Sequence, residues 1–178
     1  QPAILEAFVP FVGETSGIVA RRADGHYTTF EPARNVHQNG ILYSSTVPSG
    51  FGEETISDTV EYAVRLAKAL DHVGVMAVEF FVLESGEIVL NEMAPRVHNS
   101  GHWTPEACQV GQFEQHIRAI ADWPLLKTRR LIDAEMINLL GDDIYQPFGT
   151  DDLVTIYGKR EARPGRKMGH VVRRRNPG

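Results

Sequence analysis

Two acids and an amide carry the clearest chemistry in this chain. Glu79 and Glu92 flank the segment Glu84-Ser85-Gly86-Glu87, and Asn91 adjoins Glu92. If 84–87 is a four-residue hairpin loop, Leu83 pairs with Ile88. Glu79 then lies directly opposite Glu92, with Cβ atoms about 4.5–5.5 Å apart. Like charges at that spacing oppose sheet formation unless a cation lies between them. Two carboxylates with Asn91 are hard oxygen ligands suited to magnesium, which usually keeps waters and phosphate oxygens as its other ligands. The alternative is a pair of exposed strand acids in a slipped register.

The next loop is dense in polar groups. Arg96, His98, Asn99 and His102 fall within seven residues, with Ser100-Gly101 between them. Arg96 can grip a carboxylate or phosphate through two parallel hydrogen bonds. His98 and Asn99 can bond a polar substrate or position an anion. Such a cluster directly after a strand that could bind a metal reads as a site on a loop held by a rigid scaffold.

These residues need elements to hold them. Ile4 to Phe11 reads as a strand entering a loop at Pro10. Gly17–Arg22 and His26–Phe30 flank Ala23-Asp24-Gly25 as a hairpin, since Gly tolerates positive φ. Glu31–Gly40 reads as a polar loop and Ile41–Val47 as a strand. The spacing of Ile56, Val60, Ala63, Val64, Ala67 and Leu70 predicts a helix over 53–73, with Glu53 and Glu54 favouring its N-terminal dipole. Strands follow at 75–83 and 88–92. A second helix is expected over 106–123, striped by Phe113, Ile117 and Ile120 and closed by Pro124. Short strands at 134–140, 153–157 and 169–172 make a β-rich end, with Arg163-Pro164-Gly165-Arg166 as a basic turn. A domain boundary is expected near 124–130.

Composition limits the function classes. The 178 residues are 42% hydrophobic and 23% charged, as in ordinary globular domains, and suffice for one full core. No apolar run approaches the roughly 20 residues of a membrane helix. A single cysteine, Cys108, excludes an internal disulfide framework and fits a reducing compartment, so a cytoplasmic location is expected. The net charge of −5 argues against a uniformly basic nucleic-acid binder. The charge is uneven: residues 159–178 hold eight Lys/Arg against one acid, the rest ten against 22. A basic end on an acidic body suggests a local anion site or an exposed tail. Gln1 stands where an initiator Met would, Pro2 to Val9 reads at once as extended core, and no signal-peptide pattern precedes it. The expectation is a piece of a longer protein.

The stretch Asn91-Glu92-Met93-Ala94-Pro95-Arg96-Val97-His98-Asn99-Ser100-Gly101-His102-Trp103-Thr104 resembles the ATP-grasp signature in its purine-biosynthetic form, the 5-(carboxyamino)imidazole ribonucleotide synthases. The Ala-Pro-Arg-x-His-Asn-Ser-Gly-His run is more specific than the generic Asn-Glu, and the similarity extends from Glu6 to Tyr157-Gly158-Lys159. The resemblance implies an α/β chain. Residues 1–125 would be the C-terminal half of an ATP-grasp domain, and 126–178 a small β-rich C-terminal domain. It implies carboxylation of 5-aminoimidazole ribonucleotide with ATP and bicarbonate through carboxyphosphate, with ATP and Mg2+ as cofactors. The fragment alone is expected to be inactive, the intact protein a homodimer.

Site residues follow by the same resemblance. Glu79 and Glu92 would hold the metal with help from Asn91, and Arg96 would be catalytic. Glu6, Ala7, Phe8 and Val9 would form the hinge that reads adenine, Glu14 would grip the ribose hydroxyls, and His37 would lie near the nucleotide. His98, Asn99 and Ser100 would bind substrate, and Lys159 and Arg166 the ribonucleotide phosphate. Two other readings remain: another ATP-grasp ligase with a different acceptor, and a non-catalytic module whose β-rich end mediates dimer contacts.

Overall fold

The computed structural model describes residue 3 and residues 5–175. Its frame is one antiparallel sheet that carries every strand among the described residues, with helical segments packed on it. The strands are β1 (Gly13–Arg21), β2 (Tyr27–Thr29), β3 (Ala33–Gln38), β4 (Ile41–Val47), β5 (Gly74–Val82), β6 (Ile88–Ala94), β7 (Ala134–Leu140), β8 (Leu153–Ile156) and β9 (Lys167–Arg174). The helices are α1 (Glu53–Ala69), α2 (Thr104–Ala107) and α3 (Gln112–Ile120). The sheet runs β6-β5-β1-β3-β4-β7-β9-β8, with β2 pairing to β1. It is therefore continuous across the expected domain boundary, because β4 pairs with β7 from Val47↔Ala134 to Ser44↔Ile137. No helix among the described residues is long and apolar enough to cross a membrane.

The two faces of β1 and β5 have different jobs, as side chains alternate across a strand. On one face Val19, Met76, Val78 and Phe80 pack under Ala63, Val64 and Ala67 of α1. The helix sits close because Gly17 lies beneath it: a Cβ there would come within 2.7 Å of both Ala63 Cβ and the Thr59 carbonyl. The other face is apolar at one end, where Ile18, Ala20, Val75 and Ala77 pack with Trp103 and Ala107. At its other end it is polar, with Glu14, Ser16 and Glu79.

Several elements differ from the sequence expectation. Leu5–Phe11 forms no strand, and Leu5 and Phe8 are 99% and 87% exposed; Ile4 lies outside the described residues. The expected polar loop over 31–40 contains β3, a strand whose buried side chains include Asn35 rather than a run of apolar residues. α1 ends at Ala69, four residues early, where Asp71 takes a positive φ of 46°. The expected helix over 106–123 is two pieces, because Cys108 turns to extended backbone and bridges Arg130. On α3 the apolar stripe of Phe113, Ile117 and Ile120 faces outward, while Gln112, Gln115 and Ala119 are buried.

Candidate metal centre and oxyanion loop

Glu79 and Glu92 are cross-strand partners, by a route the loop-length argument did not contain. Near the turn the pairs are Val82↔Ile88 and Phe80↔Leu90. The turn closes through Leu83 N–H to Glu87 O, so Leu83 does not pair with Ile88. A β-bulge between Glu79 and Phe80 then shifts the register, and Asn91 is the extra residue. Two residues, Asn91 and Glu92, thus oppose the single Glu79, which regular alternation would not allow.

Glu79 is 6% exposed, and its Oε1 has no hydrogen-bond partner among the described residues. Burial pushes its carboxyl up to about 7, the carboxylates of Glu92 and Glu14 add to this, and His37 opposes it. Ligand atoms of Glu79, Glu92 and His98 lie within 4.8 Å of one another. His98 Nδ1 already accepts from the Ser100 N–H at 3.3 Å and lies 3.0 Å from its Oγ. The two carboxylates could therefore hold a metal, with the ring as their neighbour. A paired carboxylate with an orphaned buried oxygen fits a hard divalent cation.

The oxyanion loop is fixed from behind by Gln112, fully buried at the start of α3. Its Oε1 accepts the His98 N–H at 2.9 Å, and its Nε2 donates to the His98 carbonyl and to His102 Nδ1 at 2.9 Å. Gly101 leaves room for this amide, since a Cβ would lie 2.7 Å from Gln112 Oε1. Trp103 anchors the loop's far end in the core. Burial lowers His98 to about 4, with Arg96 and Lys167 adding to the effect, and lowers His102 to about 3. Both rings are neutral at physiological pH. The Arg96 side chain is exposed and donates to the Val97 carbonyl, and Asn99 Nδ2 is buried without a partner among the described residues. A cation, a free amide donor and a neutral imidazole thus stand beside the carboxylates, an arrangement suited to a small oxyanion.

The remaining expected residues divide. Glu14 and His37 meet, with His37 Nδ1 2.8 Å from Glu14 Oε2, and that contact raises the His37 pKa. Glu6, Ala7 and Phe8 are exposed, and Phe8 to Val12 line one side of a 470 Å³ groove closed by Leu83, Glu84 and Ser85. Ser100 corrects the sequence expectation of a side chain at the substrate: it is fully buried, and its hydroxyl meets Ser16 and His98. Lys159 Nζ donates to the Lys167 carbonyl and Arg166 Nη1 to the Glu161 carbonyl at 3.1 Å, so the basic turn closes on its own backbone.

Sequence reasoning missed Lys167, Gln112, Ser16 and Asn35. Lys167 is half-buried; burial lowers its pKa, the charges of Arg96 and Lys159 add to this, and those of Glu79 and Glu92 oppose it. It therefore lies among the site's charges. No local signal separated it from Arg163 or Arg166, because its place depends on β9 joining the sheet through β7.

Comparison with known proteins gives a consistent picture. Residues 1–113 match the ATP-grasp domain, and residues 134–175 match the phosphoribosylaminoimidazole carboxylase C-terminal domain. The N5-carboxyaminoimidazole ribonucleotide synthase of Brucella melitensis is 51% identical over 97% of this chain and 49% of its own length. That of Bacillus subtilis is 45% identical over 98% of this chain and 47% of its own. A crystal structure of N5-carboxyaminoimidazole synthase from Aspergillus clavatus, in complex with ADP and 5-aminoimidazole ribonucleotide, superposes with a TM-score of 0.86. It is 31% identical and covers 93% of this chain and 47% of that one. The chain spans about half the length of the curated relatives it matches.

Proposed function

The chain belongs to the ATP-grasp family, and from that premise we propose that it forms the metal- and acceptor-binding half of an enzyme that carboxylates 5-aminoimidazole ribonucleotide. ATP and bicarbonate are the co-substrates, and the product is N5-carboxyaminoimidazole ribonucleotide of purine synthesis. The observation that carries the reading is the bulged Glu79–Glu92 pair, with its orphaned buried oxygen, beside the Arg96–His98–Asn99 loop.

In this reading a bicarbonate oxygen attacks the γ-phosphorus of ATP, ADP leaves and carboxyphosphate forms. The substrate amine then takes the carboxyl carbon, directly or through released carbon dioxide, as phosphate leaves and the amine gives up a proton. Glu79 and Glu92, with Asn91, would hold Mg2+, which would neutralise phosphate charge when bound. Arg96 holds the oxyanion, with His98 and Asn99 donating to it. Glu14, paired with His37, faces the ribose, and the backbone of Glu6 to Val9 reads the adenine edge. Lys167 and Lys159 supply the positive field for the ribonucleotide phosphate, with Arg166 at the turn behind them. Residues 1–125 and 126–178 act as catalytic half and β-rich cap on one sheet. The intact protein is taken to be a cytoplasmic homodimer whose other half covers the ATP phosphates, and the outward apolar face of α3 supports a further contact surface there.

The test is ATP consumption by the full-length protein. ADP release should require Mg2+, bicarbonate and 5-aminoimidazole ribonucleotide together. Equal turnover with an unrelated amine or carboxylate acceptor would move the protein to another ATP-grasp ligase class.

A further inference from the structure

Three strands contribute polar side chains to the interior where apolar ones would be cheaper. Ser45 on β4, Asn35 on β3 and Ser16 on β1 are each 3% exposed or less, and Ser100 in the oxyanion loop is fully buried. They are joined end to end. Ser45 Oγ donates to Asn35 Oδ1 at 2.8 Å, and Asn35 Nδ2 donates to Ser16 Oγ at 3.0 Å. Ser16 Oγ donates to Ser100 Oγ at 2.8 Å, and Ser100 Oγ lies 3.0 Å from His98 Nδ1. Burying four such side chains is tolerable only because each is satisfied.

The direction of this chain is fixed at one end. The backbone N–H of Ser100 points at His98 Nδ1, and a backbone N–H can only donate. That contact favours an unprotonated Nδ1, and the hydroxyl chain adds to it. With Ser16 donating into Ser100 Oγ, the Ser100 hydrogen is free for the same nitrogen. The reverse order would set an Nδ1 hydrogen against the Ser100 N–H. A competitor exists: Glu79 Oε1 lies 3.7 Å from His98 Nδ1, and a carboxylate there favours a proton on Nδ1. The buried chain works against that pull.

The geometry points to Ser45, Asn35, Ser16 and Ser100 as a one-way hydrogen-bond chain that sets the tautomer of His98, so that the ring offers Nε2–H as a donor to the oxyanion. Nε2 makes no hydrogen bond to the described residues and is left for that task. The four side chains are positioning residues; each keeps its own proton and none touches substrate. The donor role rests on the function proposed above, whereas the tautomer does not.

The experiment uses the full-length protein with 15N-labelled histidine, long-range 1H–15N spectra, and steady-state kinetics with bicarbonate varied. His98 should show a pyridine-like Nδ1 and a protonated Nε2. Ser16→Ala should mix the tautomers and lower kcat/KM for bicarbonate about tenfold, the scale of one charge-assisted hydrogen bond, with KM for ATP little moved. Thr15→Val is the control. Thr15 is equally buried and donates to the Ala33 carbonyl, outside the chain. It should lose stability while leaving the His98 spectrum unchanged. A proton on Nδ1 in the wild type, or an unmixed spectrum in Ser16→Ala, overturns the chain. A mixed spectrum with unchanged bicarbonate kinetics overturns the donor role. A wild type that does not carboxylate the ribonucleotide overturns the functional reading, and the spectra still decide the chain.

Discussion

The two walls of the site are built differently. Leu5–Phe11 and the loop after β6 both lack extended regular structure, yet one is open and the other is held. Phe8 is 87% exposed, and Phe11 is fixed mainly by stacking on Phe81 at 4.5 Å. The loop's His98 has its peptide N–H and carbonyl both taken by one buried amide and its ring taken by Ser100. Loop mobility is thus not a matter of missing helix or strand. It depends on whether the backbone's hydrogen-bonding groups find partners within the chain. The loop after β6 is held from within the chain, and Leu5–Phe11 is left largely exposed.

The largest effect should come from the centre that the held wall serves. In the full-length protein Glu92→Gln should cut Mg2+-dependent ATP turnover by about 100-fold or more, as expected when charge stabilisation at a transferring phosphoryl group is lost. Apo thermal stability should hold or rise, since repulsion with Glu79 is relieved. Near-normal turnover at ordinary Mg2+ would remove Glu92 from the metal.

Gln112→Leu should loosen the held wall alone. It orphans the His98 N–H, at about 1–3 kcal/mol for an unsatisfied group, while the His98 carbonyl keeps the Gly101 N–H. Hydrogen exchange at the His98 amide should accelerate while exchange around Phe8 stays as fast as before. Protection unchanged at His98 would show that the loop is held by something other than this amide.

At the basic end, Lys167→Ala should raise KM for the ribonucleotide by roughly 10-fold or more, the loss of one charge-assisted contact. Lys159→Ala should have a smaller effect, and Arg166→Ala less than about threefold, within the range of an exposed pair. The opposite order would return the phosphate site to the turn.

On the open wall, Phe8→Ala should leave stability within about 0.5 kcal/mol, as for an exposed side chain, and raise only KM for ATP. Glu14→Gln should lower the His37 pKa by removing the hydrogen bond that raises it. The pair's stabilisation is present below the unfolded histidine value and fades as pH rises through the raised one. An NMR titration of the ring in both proteins reads the shift directly.

The sequence exposed the site more fully than the sheet. Glu79 opposite Glu92 was legible from the acids and the turn between them, although the actual route runs through a bulge at Asn91. The loop from Arg96 to His102 was legible because its residue types are chemically dense. β3 was hidden because its buried side chain Asn35 is polar, so it shows no apolar alternation. The orientation of α3 was not legible: its periodicity shows that one face is apolar, not which face the chain covers. Lys167 depended on pairing between β7 and β9, a long-range contact that local spacing does not encode.

The bulge at Asn91 also makes strand β6 unusually forgiving of one kind of genetic lesion. Deleting a residue from a regular strand puts everything beyond it out of frame and turns core side chains to solvent. Deleting Asn91 would do the reverse. Leu90 would be followed at once by Glu92, opposite Phe80 and Glu79, and Met93 and Ala94 would keep Val78 and Ala77 as partners. The frame is already shifted in the native strand, and the deletion would cancel the shift. The sheet register is thus indifferent to Asn91, so a single codon can be removed beside the paired acids while the scaffold around them is spared.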